Sequence, residues 1–325
     1  MMKWFKGNWF YLIVLVIALI LPFIITNRYY AQVITMSCLW AIGALSLNLI
    51  MGYTGQLSLA HGGFFAIGAY GVTILTYTYG WNFWLALPVS ALISAFVGFL
   101  VGMPALRTKG SYFAIATLCL GEIIYLVAGN WMELTGGHTG IIGIHVPSPI
   151  SIPGVGTLSF ESQITQYYLV LFFLLVTLFV MHRLVNSLKG LTFMSIRNNE
   201  DLAEAVGINT FRVKLLSFVV ANFFAGLAGG IYASLIGSIS PSVASLTITF
   251  NFLIYVLLGG VATLAGPIVG AFVMPILMEY MQFLKDYQMI SYGILLIVVV
   301  IYFPSGFMGG FTKLRDKIKK FKAGA

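Results

Sequence analysis

The sequence predicts an all-α, polytopic membrane protein of about ten transmembrane helices, one of them broken or re-entrant, forming a single transmembrane domain over residues 1–325. Three observations predict it. Hydrophobic residues make up 60% of the chain and charged residues 8%, where soluble domains run near ~45–50% and ~25%. The apolar residues gather into about ten runs close to the ~20 residues that a helix needs to cross a bilayer. The basic residues sort to one side of those runs. That many spans in 325 residues leave no room for a soluble domain.

The expected spans are 9–26, 31–51, 58–78, 84–102, 111–129, 166–184, 213–236, 247–264, 266–284 and 289–303. The first follows Lys3 and Lys6 in the manner of a signal peptide. No small-residue cleavage site follows it, and the text runs into Asn27, Arg28, Tyr29 and Tyr30, so it reads as a retained span. Ten spans put both termini on one side. On that side fall Lys3, Lys6, Arg107, Lys109, Arg183, Lys189, Arg197, Arg212, Lys214 and six more in the tail at 311–325; only Arg28 and Lys285 fall opposite. This asymmetry makes that side the cytoplasm. It also explains the net charge of +8 by topology, with no nucleic-acid partner.

The third run is the least helix-like. Its opening, GYTGQLSLAHGG from Gly52 to Gly63, is polar and glycine-rich where hydrocarbon-compatible text is expected. Irregular backbone survives at membrane depth only inside protein or beside a water-filled cavity. In the second half, Gly259, Leu264 and Gly270 repeat the spacing of Gly52, Leu57 and Gly63, which reads either as a duplicated half or as shared pressure for close helix packing. The outer segment at about 130–165 carries Pro147, Pro149 and Pro153 and reads as an ordered loop, with Trp131, Tyr167 and Tyr168 placed for the interfacial aromatic belt. Cys38 and Cys119 fall inside apolar runs and read as small buried hydrophobes.

The longest polar stretch inside the chain on the cytoplasmic side is residues 189–214, KGLTFMSIRNNEDLAEAVGINTFRVK, within a loop at about 185–212. Asn198 or Asn199 can cap a helix there, Glu200 and Asp201 place negative charge on its first turn, and Gly207 can close it in the left-handed conformation. A helix of roughly eight residues is too short to persist alone in water. It needs Leu202, Ala203 and Val206 to dock, either on another protein or on the chain's own membrane ends.

Among residues at membrane depth, Glu122 lies near the middle of the fifth span, where an ionised carboxylate costs about 2.5–3.5 kcal/mol or more. It is either a pathway residue or a protonated carboxyl bonded to a neighbouring helix. Asn48, Gln56, Ser58 and His61 can form a polar strip along a conduit or serve packing. Glu279 reads as interfacial. His138 and His145 lack a companion at metal spacing, and no metal is expected. The sequence has no G-x-x-x-x-G-K-[ST] loop, nucleophile elbow or HExxH pair, so neither nucleotide binding nor catalysis by this chain is expected.

The chain resembles the permease subunits of branched-chain amino acid ABC importers, specifically the M-type member of the permease pair. The resemblance rests on GYTGQLSLAHGGFFAIGAY (52–70), KGSYFAIATLCLGEI (109–123), RNNEDLAEAVGI (197–208) followed by RVKLLSF (212–218), LAGGIYA (227–233), VLLGGVATLAGPIVGA (256–271) and FPSGFMGG (303–310). It implies a prokaryotic cytoplasmic-membrane permease working with a second related permease, two cytoplasmic ATPase subunits that bind the ATP, and an external substrate-binding protein. In such importers a short coupling helix with an E-A-A-x-x-x-G pattern enters the ATPase. Here the register is Asp201, Leu202, Ala203 and then Gly207, with Leu202 departing from the pattern. The resemblance assigns coupling to Arg197, Asp201, Leu202, Ala203, Glu204, Val206 and Gly207. Permeases for urea and short amides share the same glycine-rich texts and form the nearest alternative. An ion-coupled carrier or channel centred on Glu122 is a more distant one.

Overall fold

The computed structural model describes residues 27–144, 146–152 and 156–280, with residues 16, 18–23, 293, 297, 306, 307 and 309. Most of the first and tenth expected spans, the end of the ninth, His145, Lys285 and the basic tail lie outside the described residues. Helix α1 (Arg28–Asn48) starts at Asn27, whose side chain accepts the Tyr29 N–H, and runs on through a widened turn at Leu49–Tyr53. Residues 54–60 are not helical. Helix α2 (His61–Thr73) follows, with a second widened turn at Ile74–Thr78. Helix α3 (Phe83–Ala105) is capped by Asn82, and α4 (Ser111–Asn130) returns to the far end.

The outer segment holds a single-turn helix α5 (Met132–Thr135) and three short strands, β1 (Ile141–Ile142), β2 (Ile150–Ile152) and β3 (Gly156–Leu158). The strands β2 and β3 pair with each other, and β1 pairs antiparallel with β4 (Ser238–Ile239). The expected loop is thus stitched to the later chain, not free-standing. Helix α6 (Gln163–Val185), capped by Ser162, leads to α7 (Leu188–Asn198) and α8 (Glu200–Ala205). The longest helix, α9 (Thr210–Ile236), is followed by α10 (Leu246–Gly259) and α11 (Ala265–Tyr280).

Five helices among the described residues are long and apolar enough to cross a membrane: Arg28–Tyr53, Phe83–Ala105, Ser111–Asn130, Gln163–Val185 and Thr210–Ile236. The helices α10 and α11, at 14 and 16 residues, are shorter. At 1.5 Å per residue, α10 covers about 21 Å of a hydrocarbon layer near ~30 Å thick. The apolar run 247–264 therefore is not one helix, because 260–264 forms a turn. Apolar composition marks what lies at membrane depth but not whether its backbone is helical.

The core is built around α1, α2 and α9. Of the central part of α1, 78% is buried, against 28% for α4, so α1 is enclosed and α4 is peripheral. The helices α2 and α9 cross at backbone contact: a Cβ on Gly68 would lie 1.9 Å from the Gly226 carbonyl oxygen. Small residues of this kind allow the close approach on which helix association in membranes depends. Trp40, Phe65, Tyr232 and Phe252 then stack into the space between α1, α2, α9 and α10. Tyr167 and Tyr168, expected at the interface, donate hydrogen bonds at 2.7 Å to the carbonyls of Ala18 and Leu19, and Tyr167 is buried.

Candidate functional site

At the end of the bundle that carries α7 and α8, the short helix has both ends marked as its sequence requires. Asn199 is the cap, its Oδ1 accepting the Leu202 N–H at 3.0 Å, whereas Asn198 is the last residue of α7. The helix is six residues long, and Gly207 follows with φ +88, a conformation costly for any residue with a Cβ. A second helix, α7, precedes it where the sequence suggests only connector. The two meet at a non-helical joint, Asn199, whose φ is −161 and ψ 108.

Of the three residues expected to dock, only Ala203 does so within the chain. It is buried with Leu49, Tyr53, Met181, Phe193, Ile196 and Val213. Leu202 and Val206 are 61% and 70% exposed, and Arg197, Asp201, Glu204 and Gly207 are exposed as well. One face of α8 is thus held by the permease and the other is presented outward. Two ion pairs reach it, one buried and one exposed. Glu200 meets Lys214 at 2.6 Å with side chains only 16% and 3% exposed, while Asp201 meets Lys109 at 2.8 Å in the open. The Lys109 ammonium, hydrogen-bonded to Asp201, holds that carboxyl below the usual carboxylate range, and Asp201 in turn raises Lys109. The Glu200–Lys214 pair has no periodic signature in the sequence, where Lys214 reads only as a topology marker.

The polar residues at membrane depth are engaged in different ways. Asn48 is buried and fully engaged: its Nδ2 donates to the Thr263 carbonyl at 2.8 Å and its Oδ1 accepts the Ala262 N–H at 3.0 Å. It holds the 260–264 turn, where Ala262 has φ +58. His61 is buried with Nε2 at 2.7 Å from Ser46 Oγ and its ring edge-on to Phe252. Among the described residues, its Nδ1 and the Ser58 Oγ find no hydrogen-bond partner. Gln56 is buried in the same segment.

Glu122 is separate from all of these, on the exposed face of α4 with Ile115, Leu118, Cys119 and Leu126. Cys119 therefore is not the buried hydrophobe expected. Because α4 is apolar around its whole circumference, nothing in its text signals which way Glu122 faces. The residues that hold the backbone break do not stand out in the sequence either: Thr117 accepts the Leu59 N–H at 3.0 Å, and Thr249 accepts the Gly62 N–H at 2.8 Å.

Residues 29–300 match the family model described as the branched-chain amino acid transport system / permease component. The chain is 32% identical to the high-affinity branched-chain amino acid transport system permease protein LivM of Salmonella typhimurium, over 98% of this chain and 78% of that one. It is likewise 32% identical to the LivM protein of Escherichia coli K12, over 93% and 75%. Against the LivH permease protein of Escherichia coli K12 the identity is 25%, over 85% and 93%. No solved structure matches. Glycine-rich breaks buried among apolar helices and the matched text lead to one assignment: the chain belongs to the branched-chain amino acid transport permease family.

Proposed function

We propose that this chain forms, with a second related permease, the passage of an ATP-driven importer for branched-chain amino acids. Two ATPase subunits on the cytoplasmic side drive it through α8, and an external binding protein delivers the substrate. The observation that carries this reading is the division of α8 into a held face and an offered face. Ala203 and Glu200 fasten it to the permease, while Leu202 and Val206 stand exposed beside Arg197, Asp201 and Glu204. An exposed apolar pair rimmed by charge suits a protein groove better than water. Both termini lie in the cytoplasm on this reading, as the basic residues require.

Glu122 supports the pairing of two permeases. A carboxylate in the middle of α4, on a face directed away from its own bundle, would meet lipid in an isolated subunit at a cost of about 2.5–3.5 kcal/mol or more. A second permease set against that face would place Glu122 beside a shared path. A zwitterion with an apolar side chain suits a path with few polar groups.

The test is uptake of labelled leucine and labelled urea into liposomes that hold this chain with its permease and ATPase partners, ATP and the binding protein. ATP-dependent leucine uptake is expected; urea uptake would change the substrate. Gly207→Pro is expected to leave the chain in the membrane and release the ATPase subunits. Normal transport with both subunits still co-purifying would rule out coupling through α8. Glu122→Gln is expected to change rate or selectivity at unchanged expression.

A further inference from the structure

We infer that the irregular segment 54–60 is the element that carries the position of α8 to the outward face of α4. This rests on the reading of α8 as the ATPase-docking helix. The segment begins against the α7–α8 foot: a Cβ on Gly55 would lie 3.2 Å from Arg197 Cγ, and Gly55 has φ +74. The neighbouring Thr54 hydroxyl donates to the Ile50 carbonyl and packs 3.4 Å from Ser217 Oγ, whose own proton goes to the Lys214 carbonyl at 2.8 Å. Lys214 is the residue whose ammonium is paired with Glu200 of α8.

The other end of the segment is fastened to α4. The Leu59 N–H donates to Thr117 Oγ1 at 3.0 Å, and a Cβ on Gly121 would lie 3.2 Å from Ala60 Cα. Glu122 is the next residue. A contiguous line of packed and hydrogen-bonded groups therefore runs from Glu200 to the backbone beside Glu122. Non-helical backbone has no i→i−4 ladder of its own, so its position is set by what it packs on at one end, Arg197 and Ser217, and by what it bonds to at the other, Thr117. Thr117 and Ser217 are positioning residues in this line.

The experiment measures leucine imported and ATP hydrolysed in the same liposomes with the full importer. Thr117→Val and Ser217→Ala are expected to lower the leucine moved per ATP by roughly two- to thirty-fold, with the ATPase subunits co-purifying as in the wild type. Thr117→Ser, which keeps the hydroxyl, is expected to restore the ratio. The double variant should be no worse than the poorer single, since both interrupt one line. A wild-type ratio in Thr117→Val, or losses that multiply in the double variant, would overturn the inference. If Thr117→Val does not assemble, Gly121→Ala, which crowds Ala60 and removes no hydrogen bond, takes its place: a lowered ratio supports the line and a wild-type ratio overturns it. Failure of the importer reading is distinct: the wild type would then import without ATP or fail to hold the ATPase subunits.

Discussion

The two breaks in the helical text, 54–60 and 260–264, are both glycine-flanked and both internal, yet they are held in opposite ways. The second is stitched to itself and to one side chain of α1. Thr263 Oγ1 donates to the Gly260 carbonyl at 2.8 Å and accepts the Gly266 N–H at 3.0 Å, and Asn48 satisfies Ala262 and Thr263 from the side. The first is stitched to others: beyond the Gln56 N–H to Ile50 carbonyl bond at 3.0 Å, the backbone groups at its far end go to Thr117 of α4 and Thr249 of α10. At membrane depth every backbone polar group needs a partner inside the protein. Where the partners are the break's own threonine and one residue of α1, the break is a rigid corner; where they sit on three different helices, it registers how those helices stand.

The largest expected effect sharpens that contrast. In the rigid corner, a Cβ on Gly259 would lie 1.8 Å from the Gly266 carbonyl oxygen, and no side-chain movement relieves a clash with backbone. Gly259→Ala is expected to abolish the folded, monodisperse species on size exclusion in mild detergent. Gly55→Ala meets Arg197 at 3.2 Å from Cγ and 3.3 Å from Cα, with a left-handed φ, costs about 1–2 kcal/mol, and should still fold. Equal behaviour of the two variants would erase the distinction. Next in size, Asn48→Ala leaves the Ala262 N–H and the Thr263 carbonyl unpaired, at roughly 2–4 kcal/mol in all. A thermal midpoint in detergent well below that of the wild type is expected.

Much of this was legible beforehand, and the reasons differ by residue. Five of the expected spans followed from apolar length, and Asn199, Glu200 and Gly207 announced α8 because capping chemistry is local. Of the glycine-rich text from Gly52 to Gly63, only 54–60 is non-helical: Gly52 and Tyr53 close the widened turn and His61 opens α2. Three features escaped. The separate helix α7 is hidden because its buried residues, Gly190, Phe193 and Ile196, make too small a stripe to stand out in polar text. The directions of Glu122 and Cys119 are invisible because α4 has no polar side against which to orient it. The pairing of Glu200 with Lys214 joins residues across a chain reversal, for which spacing carries no signal.

Around the first break the expected effects are smaller. Thr249→Val strands one N–H, that of Gly62, against the two groups left by Asn48→Ala, so a loss of about 1–2 kcal/mol is expected. A larger fall in thermal midpoint than Asn48→Ala would mean that the first break, not the second, is the rigid one.

The loosest tie near that break is the Lys109–Asp201 pair, whose side chains are 59% and 85% exposed. Asp201 is held below the ordinary carboxylate value of about 3.9 by its hydrogen bond to Lys109, so its contribution is present above that value and is lost as pH falls through the lowered one. Lys109 is raised, so its share is present below the ordinary lysine value and lost as pH rises through the raised one. Between those limits an exposed pair is screened by salt and adds little. Asp201→Asn should therefore leave the thermal midpoint at neutral pH almost unchanged, and concentrated salt should remove any remaining difference from the wild type. The wild type and Asp201→Asn should converge as the carboxyl protonates. A large, salt-resistant fall at neutral pH would instead place this pair with the buried Glu200–Lys214 joint as a structural anchor of α8.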